Sequence, residues 1–207
     1  MLTGLLKVLR WPPPCTFWRF LASLHRGIAR QLLEVQRRMR ERVWEAAHVQ
    51  LAVVTLDTDT TVHTWFGHPM GGRKSYNRKN KGKKSYQPIR TFLAETREYI
   101  GGELRNRDRP TGAQFARHRE SVLAALPPQA QAIYARADSG FYGREAVEAY
   151  PSQGVQYMVS ARQTSRWVEE LEAADWKPSP RTDAQGQCEF HYQPEGWNQA
   201  YRCIALG

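Results

Sequence analysis

Three aspartates stand where an acid could do chemistry. Asp57 and Asp59 close the run Gln50-Leu-Ala-Val-Val-Thr-Leu-Asp-Thr-Asp59. Apolar and β-branched residues fill this run almost without a break, which is the pattern of a buried central strand. The period of two puts both carboxylates on one face of it. Asp138 follows a second such stretch, residues 130–137, and enters Ser139-Gly-Phe-Tyr-Gly143. Strand ends of an α/β sheet are where sites usually form. Carboxylates gathered there are hard oxygen ligands of the kind Mg²⁺ or Mn²⁺ takes. Two such ions about 3.5–4 Å apart activate an attacking oxygen and steady a leaving one in phosphodiester chemistry. An aspartate after a strand also serves as a turn former or helix cap, so each one alone supports either reading.

The elements that must position these acids follow from hydrophobic spacing. Residues 15–48 read as one long helix capped by Thr16, with Phe17, Leu21, Leu24, Ile28, Leu32, Val35, Met39 and Val43 at steps of three and four. Its other faces carry Arg26, Arg30, Arg37, Arg38, Arg40 and Arg42, either to lie along phosphates or to face solvent beside a packed stripe. Residues 89–106 predict a hairpin, 112–125 a helix that stops before Pro127-Pro128, 144–150 a short helix, 155–160 a strand and 164–174 a helix. The tail from 182 to 207 reads as β-rich. Strands in a hairpin and then alternating with helices predict an α/β mixed sheet flanked by helices.

Charge narrows the partner. The 207 residues hold 30 Lys and Arg against 20 Asp and Glu, a formal net of +10. Residues 1–90 carry 17 basic and 5 acidic side chains, residues 91–207 carry 13 and 15. A basic half of this kind points to a polyanion, usually nucleic acid or an anionic membrane surface. Residues 71–90 hold eight basic side chains and no acidic one. They read as a loop, with Arg73, Lys74, Arg78, Lys79, Lys81, Lys83 and Lys84 to track phosphates and Tyr76 and Tyr86 to offer rings or hydroxyls. The alternative is a soluble, flexible basic loop.

Composition excludes other classes. No apolar run approaches the roughly 18–20 residues of a membrane span, and Lys7, Arg10 and Pro12-Pro-Pro14 break up any leader-like start. Cys15, Cys188 and Cys203 are odd in number and form no C-x-x-C pair, which argues against zinc and disulfide frameworks and for a reducing, cytoplasmic compartment. Cys188 near His191 supplies two ligands, fewer than a metal site needs.

A set of short blocks in order carries a resemblance. These are Leu56-Asp-Thr-Asp-Thr-Thr61, Gly67, Tyr76-Asn77, Ser85-Tyr-Gln-Pro88, Phe92-Leu-Ala-Glu-Thr96, Arg136-Ala-Asp-Ser-Gly-Phe141 and Tyr192-Gln-Pro-Glu-Gly-Trp197. Over residues 15–207 the chain resembles the transposases of insertion-sequence family 1380, in the Asp-Asp-Glu class with a ribonuclease-H-like catalytic core. The resemblance implies that Asp59 is the first catalytic aspartate, with Asp57 as the alternative, and that Asp138 is the second. Asp59 and Asp138 would hold Mg²⁺ or Mn²⁺ for cleavage and strand transfer at transposon ends in double-stranded DNA; a homodimer is one assembly open to the chain, and the sequence does not fix its oligomeric state.

The class also needs a third carboxylate, a Glu on a late helix. In relatives that carry a β-rich insertion, that helix lies beyond it. Four parts are therefore expected: an irregular stub at 1–14, the Arg-rich helix at 15–48, a partial core at 49–175, and the start of the insertion at 176–207. The expected product is a transposase fragment that lacks its third acid. Compact members place the Glu directly after the fifth strand, where Glu172 lies 34 residues beyond Asp138. Glu169 and Glu172 point largely away from the apolar face formed by Val168 and Leu171. The other readings are a non-catalytic DNA-binding remnant and a Mg²⁺-dependent DNA nuclease on the same core.

Overall fold

A computed structural model describes residues 12–67, 72–74, 79–105, 111–180 and 185–207. The chain divides into two units, residues 1–51 and 52–207.

In the first unit the predicted single helix is two: α1 (Pro14–Ser23) and α2 (Arg26–Ala46). The break lies at Leu24, which is extended, and His25, which caps α2 by accepting the Gly27 amide at 3.1 Å. The Ser23 hydroxyl donates back to Phe20 O, which ends α1 locally. A side chain on Gly27 would approach the His25 ring to 3.0 Å, so that ring would have to shift by a few tenths of an ångström. The apolar stripe is largely exposed at Phe17, Leu21, Leu32, Val35, Met39 and Val43. The arginine face is partly spent internally. Arg37 bonds Glu34 and Glu41, and Arg38 bonds Glu34. Those two arginines, Arg37 foremost, hold the Glu34 carboxyl down to about 2. The Arg40 guanidinium lies 5.2 Å from the Trp44 ring centroid, a cation–π distance. The side chains of Arg26 and Arg30 lie outside the described residues.

In the second unit, β1 (Val53–Thr60) is central, as its apolar run predicts. It pairs antiparallel with β5 (Ile89–Leu93) and parallel with β7 (Ala132–Ala137). Outside these run β6 (Glu98–Glu103) and β8 (Gln156–Val159), giving the order β6-β5-β1-β7-β8. The sheet is therefore mixed. Helix α3 (Gly112–Leu123) opens on a capping box, with Thr111 accepting from the Gln114 amide and Gln114 returning a bond to the Thr111 amide. Helix α4 (Arg144–Ser152) follows β7 after one 3-10 turn at Ser139–Phe141.

The two helices cover one sheet face. Phe115, Val122 and Tyr150 close over Leu56 and Ala135, all of them buried. The other face shows Val53, Tyr134 and Met158, with Met158 69% exposed. This is an α/β mixed sheet flanked by helices, as the sequence predicts, in the ribonuclease-H-like arrangement that the resemblance implies.

Two small sheets complete the unit. One orders β2 (His63–Thr64), β4 (Lys84–Tyr86) and β3 (Arg73–Lys74) as β2-β4-β3. The basic stretch predicted as a loop is thus partly sheet. Ser85 is fully buried between exposed Lys84 and half-buried Tyr86, and Trp65 meets Tyr86 edge-on at 6.4 Å. The other sheet is β9 (Lys177–Pro178), β10 (Gly186–Tyr192) and β11 (Tyr201–Leu206), which bears out the β-rich tail. Helix α5 (Ser165–Glu172) packs on it, with Trp167 edge-on to Phe190 at 5.7 Å.

A polar chain crosses the buried face. Thr58 Oγ1 and Thr91 Oγ1 are 2.9 Å apart, and Thr91 Oγ1 lies 2.8 Å from His118 Nε2. Burial pushes the His118 imidazole down to about 4. The unfolded chain therefore takes up a proton near the ordinary histidine value while the folded one does not. Stability at pH 7 is retained down to about 6.5, then falls until the folded imidazole also protonates near 4. Urea unfolding should lose up to about 3 kcal/mol across that window. His118→Gln should flatten the dependence. An unchanged profile in that variant would remove His118 as its source.

Candidate active site

Register decides which acids meet. The last β1–β7 pairs are Asp57 with Arg136 and Thr58 with Ala137. One residue further along each strand stand Asp59 and Asp138, at the carboxyl edges of two adjacent parallel strands about 4.8 Å apart. Alternation puts Leu56 and Ala135 inward, so Asp57, Arg136, Asp59 and Asp138 share the opposite face.

Asp57 is occupied. Arg136 Nε and Nη2 donate to its two oxygens at 2.6 and 2.7 Å. That carboxylate in turn raises the guanidinium above its ordinary value. Asp59 is exposed, and its Oδ1 accepts the Thr60 amide at 2.6 Å. Asp138 caps the 3-10 turn, its Oδ1 accepting the Gly140 amide at 2.9 Å. A Cβ on Gly140 would sit 2.9 Å from that oxygen, so a larger residue there would displace the Asp138 carboxylate. Asp59 and Asp138 each spend one oxygen on a single amide. Such a pair suits Mg²⁺, which takes one or two carboxylates and keeps several waters. Among the described residues no three His, Cys, Asp or Glu side chains gather as a metal site. Glu172 is the exposed last residue of α5, the helix packed on β10.

The basic residues arise at the same edge. Thr60 ends β1 beside Ile89, the first residue of β5, and the β2-β4-β3 sheet is the insertion between them. Arg73, Lys74, Lys79, Lys81, Lys83 and Lys84 are exposed and make no ion pair among the described residues. Arg78 and Tyr76 lie outside the described residues. Arg90 stands opposite Asp59, with Nη2 3.3 Å from His63 Nε2.

Three features escape the sequence reading. Arg136 is one. The sequence shows it only as the head of the block Arg136-Ala-Asp-Ser-Gly-Phe141 and says nothing of its pairing with Asp57. A second is Arg162, whose Nε donates to Ser139 O at 3.2 Å and steadies the turn after Asp138. The third is the β10–β11 loop, which reaches that turn. There Trp197 lies on Tyr142 at 5.1 Å and 30°, and Arg144 Nη1 donates to Gly196 O at 2.9 Å.

Residues 14–206 match the model of the family described as Transposase DDE domain group 1. The chain belongs to this family. No curated protein matches it. Among solved structures it is similar to a piggyBac transposase synaptic complex with hairpin DNA, at 10% identity and a TM-score of 0.44, covering 72% of this chain and 32% of that one. It is similar to a Mos1 transposase paired-end complex with the left transposon end, at 12% identity and a TM-score of 0.37, covering 81% and 59%. It is also similar to a simian T-cell lymphotropic virus intasome in complex with a PP2A regulatory subunit, at 11% identity and a TM-score of 0.36, covering 60% and 39%. The chain thus spans about a third to three-fifths of these proteins.

Within this transposase DDE domain the Asp57–Arg136 pair is half-exposed, at 40% and 55% of the side chains. Exposed ion pairs contribute little, so Asp57→Asn should cost at most about 1 kcal/mol in thermal unfolding. A larger loss would show that the pair holds β1 to β7 rather than merely decorating them.

Proposed function

We propose that this chain is catalytic-domain material of a DNA transposase of the insertion-sequence 1380 kind, with Asp59 and Asp138 as its first two catalytic carboxylates. The observation that carries this is the β1–β7 register, whose last pair, Thr58 with Ala137, lies one residue before each of those acids. Asp57, the alternative first ligand, is taken by Arg136. Bound at Asp59 and Asp138, Mg²⁺ would supply the Lewis acid that activates a water or 3′-hydroxyl oxygen against a phosphodiester. The chain's own part is to fix the two carboxylates on a rigid edge and to hold DNA against it through the basic sheet. We place the third carboxylate outside α5, because Glu172 is solvent-facing on a helix that packs against β10. Double-stranded DNA is the partner in this reading, and two copies at paired ends the working unit.

Metal binding tests the acids directly. Mn²⁺ titration followed by electron paramagnetic resonance should show at least about tenfold weaker binding for Asp59→Asn and for Asp138→Asn. Asp57→Asn should change it less than about twofold. A loss confined to Asp57→Asn would exchange the two assignments.

A second reading is favoured by one observation: the exposed basic sheet needs none of the acids. In this reading the chain binds DNA without cutting it. Both readings expect affinity to fall steeply with salt. Neutralising Arg73, Lys74, Lys79, Lys83 and Lys84 should lower the log–log slope by up to about 4.5 units. Cleavage of labelled transposon ends in Mg²⁺, lost in Asp138→Ala, supports the transposase reading. Cutting of DNA without those ends supports a general nuclease, and DNA binding with no cutting under any condition supports the binding-only reading.

A further inference from the structure

Arg90 faces Asp59 directly across the β1–β5 pair. Facing residues of an antiparallel pair share one side of the sheet, with Cβ atoms about 4.5–5.5 Å apart. Ile89 and Thr91, on either side of Arg90, are 0% and 1% exposed, so its backbone is fixed. The acid and the guanidinium nevertheless form no ion pair. Asp59 takes the Thr60 amide, and Arg90 Nη2 turns to His63 Nε2 at 3.3 Å. Arginine can only donate, so His63 accepts through Nε2 as a neutral ring with its proton on Nδ1. On the other side, β6 pairs Arg90 with Gly102. A Cβ there would come within 2.6 Å of Ile89 O and 2.7 Å of Tyr99 Oη, so glycine leaves the space that Tyr99 fills beside Arg90. Burial raises the Tyr99 hydroxyl above its ordinary value, and the nearby Arg90 charge works against that rise. Both neighbours are neutral groups. They fix the direction of the guanidinium without cancelling its charge, and its fork keeps N–H donors to spare.

A cation beside a metal-binding acid works against the metal unless an anion lies between them. A phosphodiester in that place gives the order carboxylate, metal, phosphate, guanidinium, in which every neighbour has the opposite sign. Arginine suits the last position because its planar fork matches two phosphate oxygens. We propose that Arg90, held off Asp59 by His63 and Tyr99, grips a non-bridging oxygen of the phosphodiester presented to Asp59 and Asp138. The inference rests on the transposase reading and adds to it a residue that touches the substrate.

The test removes the two charges singly and together. The full chain is bound in Ca²⁺, so that no strand is cut, to transposon-end duplexes in which one phosphate at a time is replaced by an uncharged methylphosphonate. The wild-type chain should lose at least about tenfold in affinity at one phosphate beside the transposon end. Arg90→Gln should bind the unmodified duplex about that weakly and lose less than about twofold more at the same position, because the contact is already gone. Every other position should cost the two proteins alike. Arg90→Lys keeps the charge without the fork, so it should fall between them, and it supplies the same comparison if Arg90→Gln does not fold. Mn²⁺ binding by Arg90→Gln without DNA should be unchanged or tighter, since a cation has left the neighbourhood of Asp59. A wild-type chain indifferent to every methylphosphonate overturns the inference, as does an Arg90→Gln chain that keeps the full penalty. Mn²⁺ binding weakened as in Asp59→Asn overturns it too, by making Arg90 a support for the acid. Each of these results leaves the transposase reading standing. A wild-type chain that binds no end duplex overturns both.

Discussion

The parallel pairing of β1 with β7 is the constraint on which the rest depends. Side chains alternate along both strands, so the register has only two kinds of outcome. As observed, Leu56 and Ala135 go inward beneath Phe115 and Tyr150, and the aspartates go to the open face. A slip of one residue in β1 would bury a carboxylate under α3 and expose Leu56. The core therefore enforces the geometry of the site. Thr58 adds a second check, because its hydroxyl is in place for Thr91 and His118 only in this register.

Charge is sorted along the same edge. Two adjacent strand ends concentrate three carboxylates, and Arg136 neutralises the one set further back. That leaves an acidic pair facing outward. Unpaired positive charge among the described residues stands instead on the small β2-β4-β3 sheet, at Arg73, Lys74 and Lys84. The arginines of α2 play a different part, since Glu34 and Glu41 already satisfy Arg37 and Glu34 also satisfies Arg38.

Legibility in the sequence follows the length and regularity of each signal. The central strand, the hairpin, α3 and the β-rich tail carry strong periodicity or breakers such as Pro127-Pro128, and all are found close to where spacing puts them. The break at Leu24 and His25 was invisible because it is made by side-chain bonds, from His25 and Ser23, that no apolar pattern records. The strands β3 and β4 were hidden by their lysines, since two or three residues without β-branched side chains leave no period to read. Motif order suggested Asp59 and Asp138, but their adjacency required a register. The Arg136 partner of Asp57 and the docking of Trp197 on Tyr142 are contacts across 79 and 55 positions of chain, beyond any local pattern.

That same separation governs how the edge comes into being. Emerging from a ribosome at roughly 5–20 residues per second, β7 follows β1 by roughly 4–16 seconds. The β5 strand arrives sooner and covers one side of β1, while the other side waits as an unpaired edge. Val53-Val-Thr-Leu56 on such an edge is a segment that would pair with the first extended chain it met. The aspartates that follow put negative charge on it during that interval, and charge is what keeps a waiting strand from the wrong partner. The acids at the strand end thus serve the nascent chain as gatekeepers against aggregation.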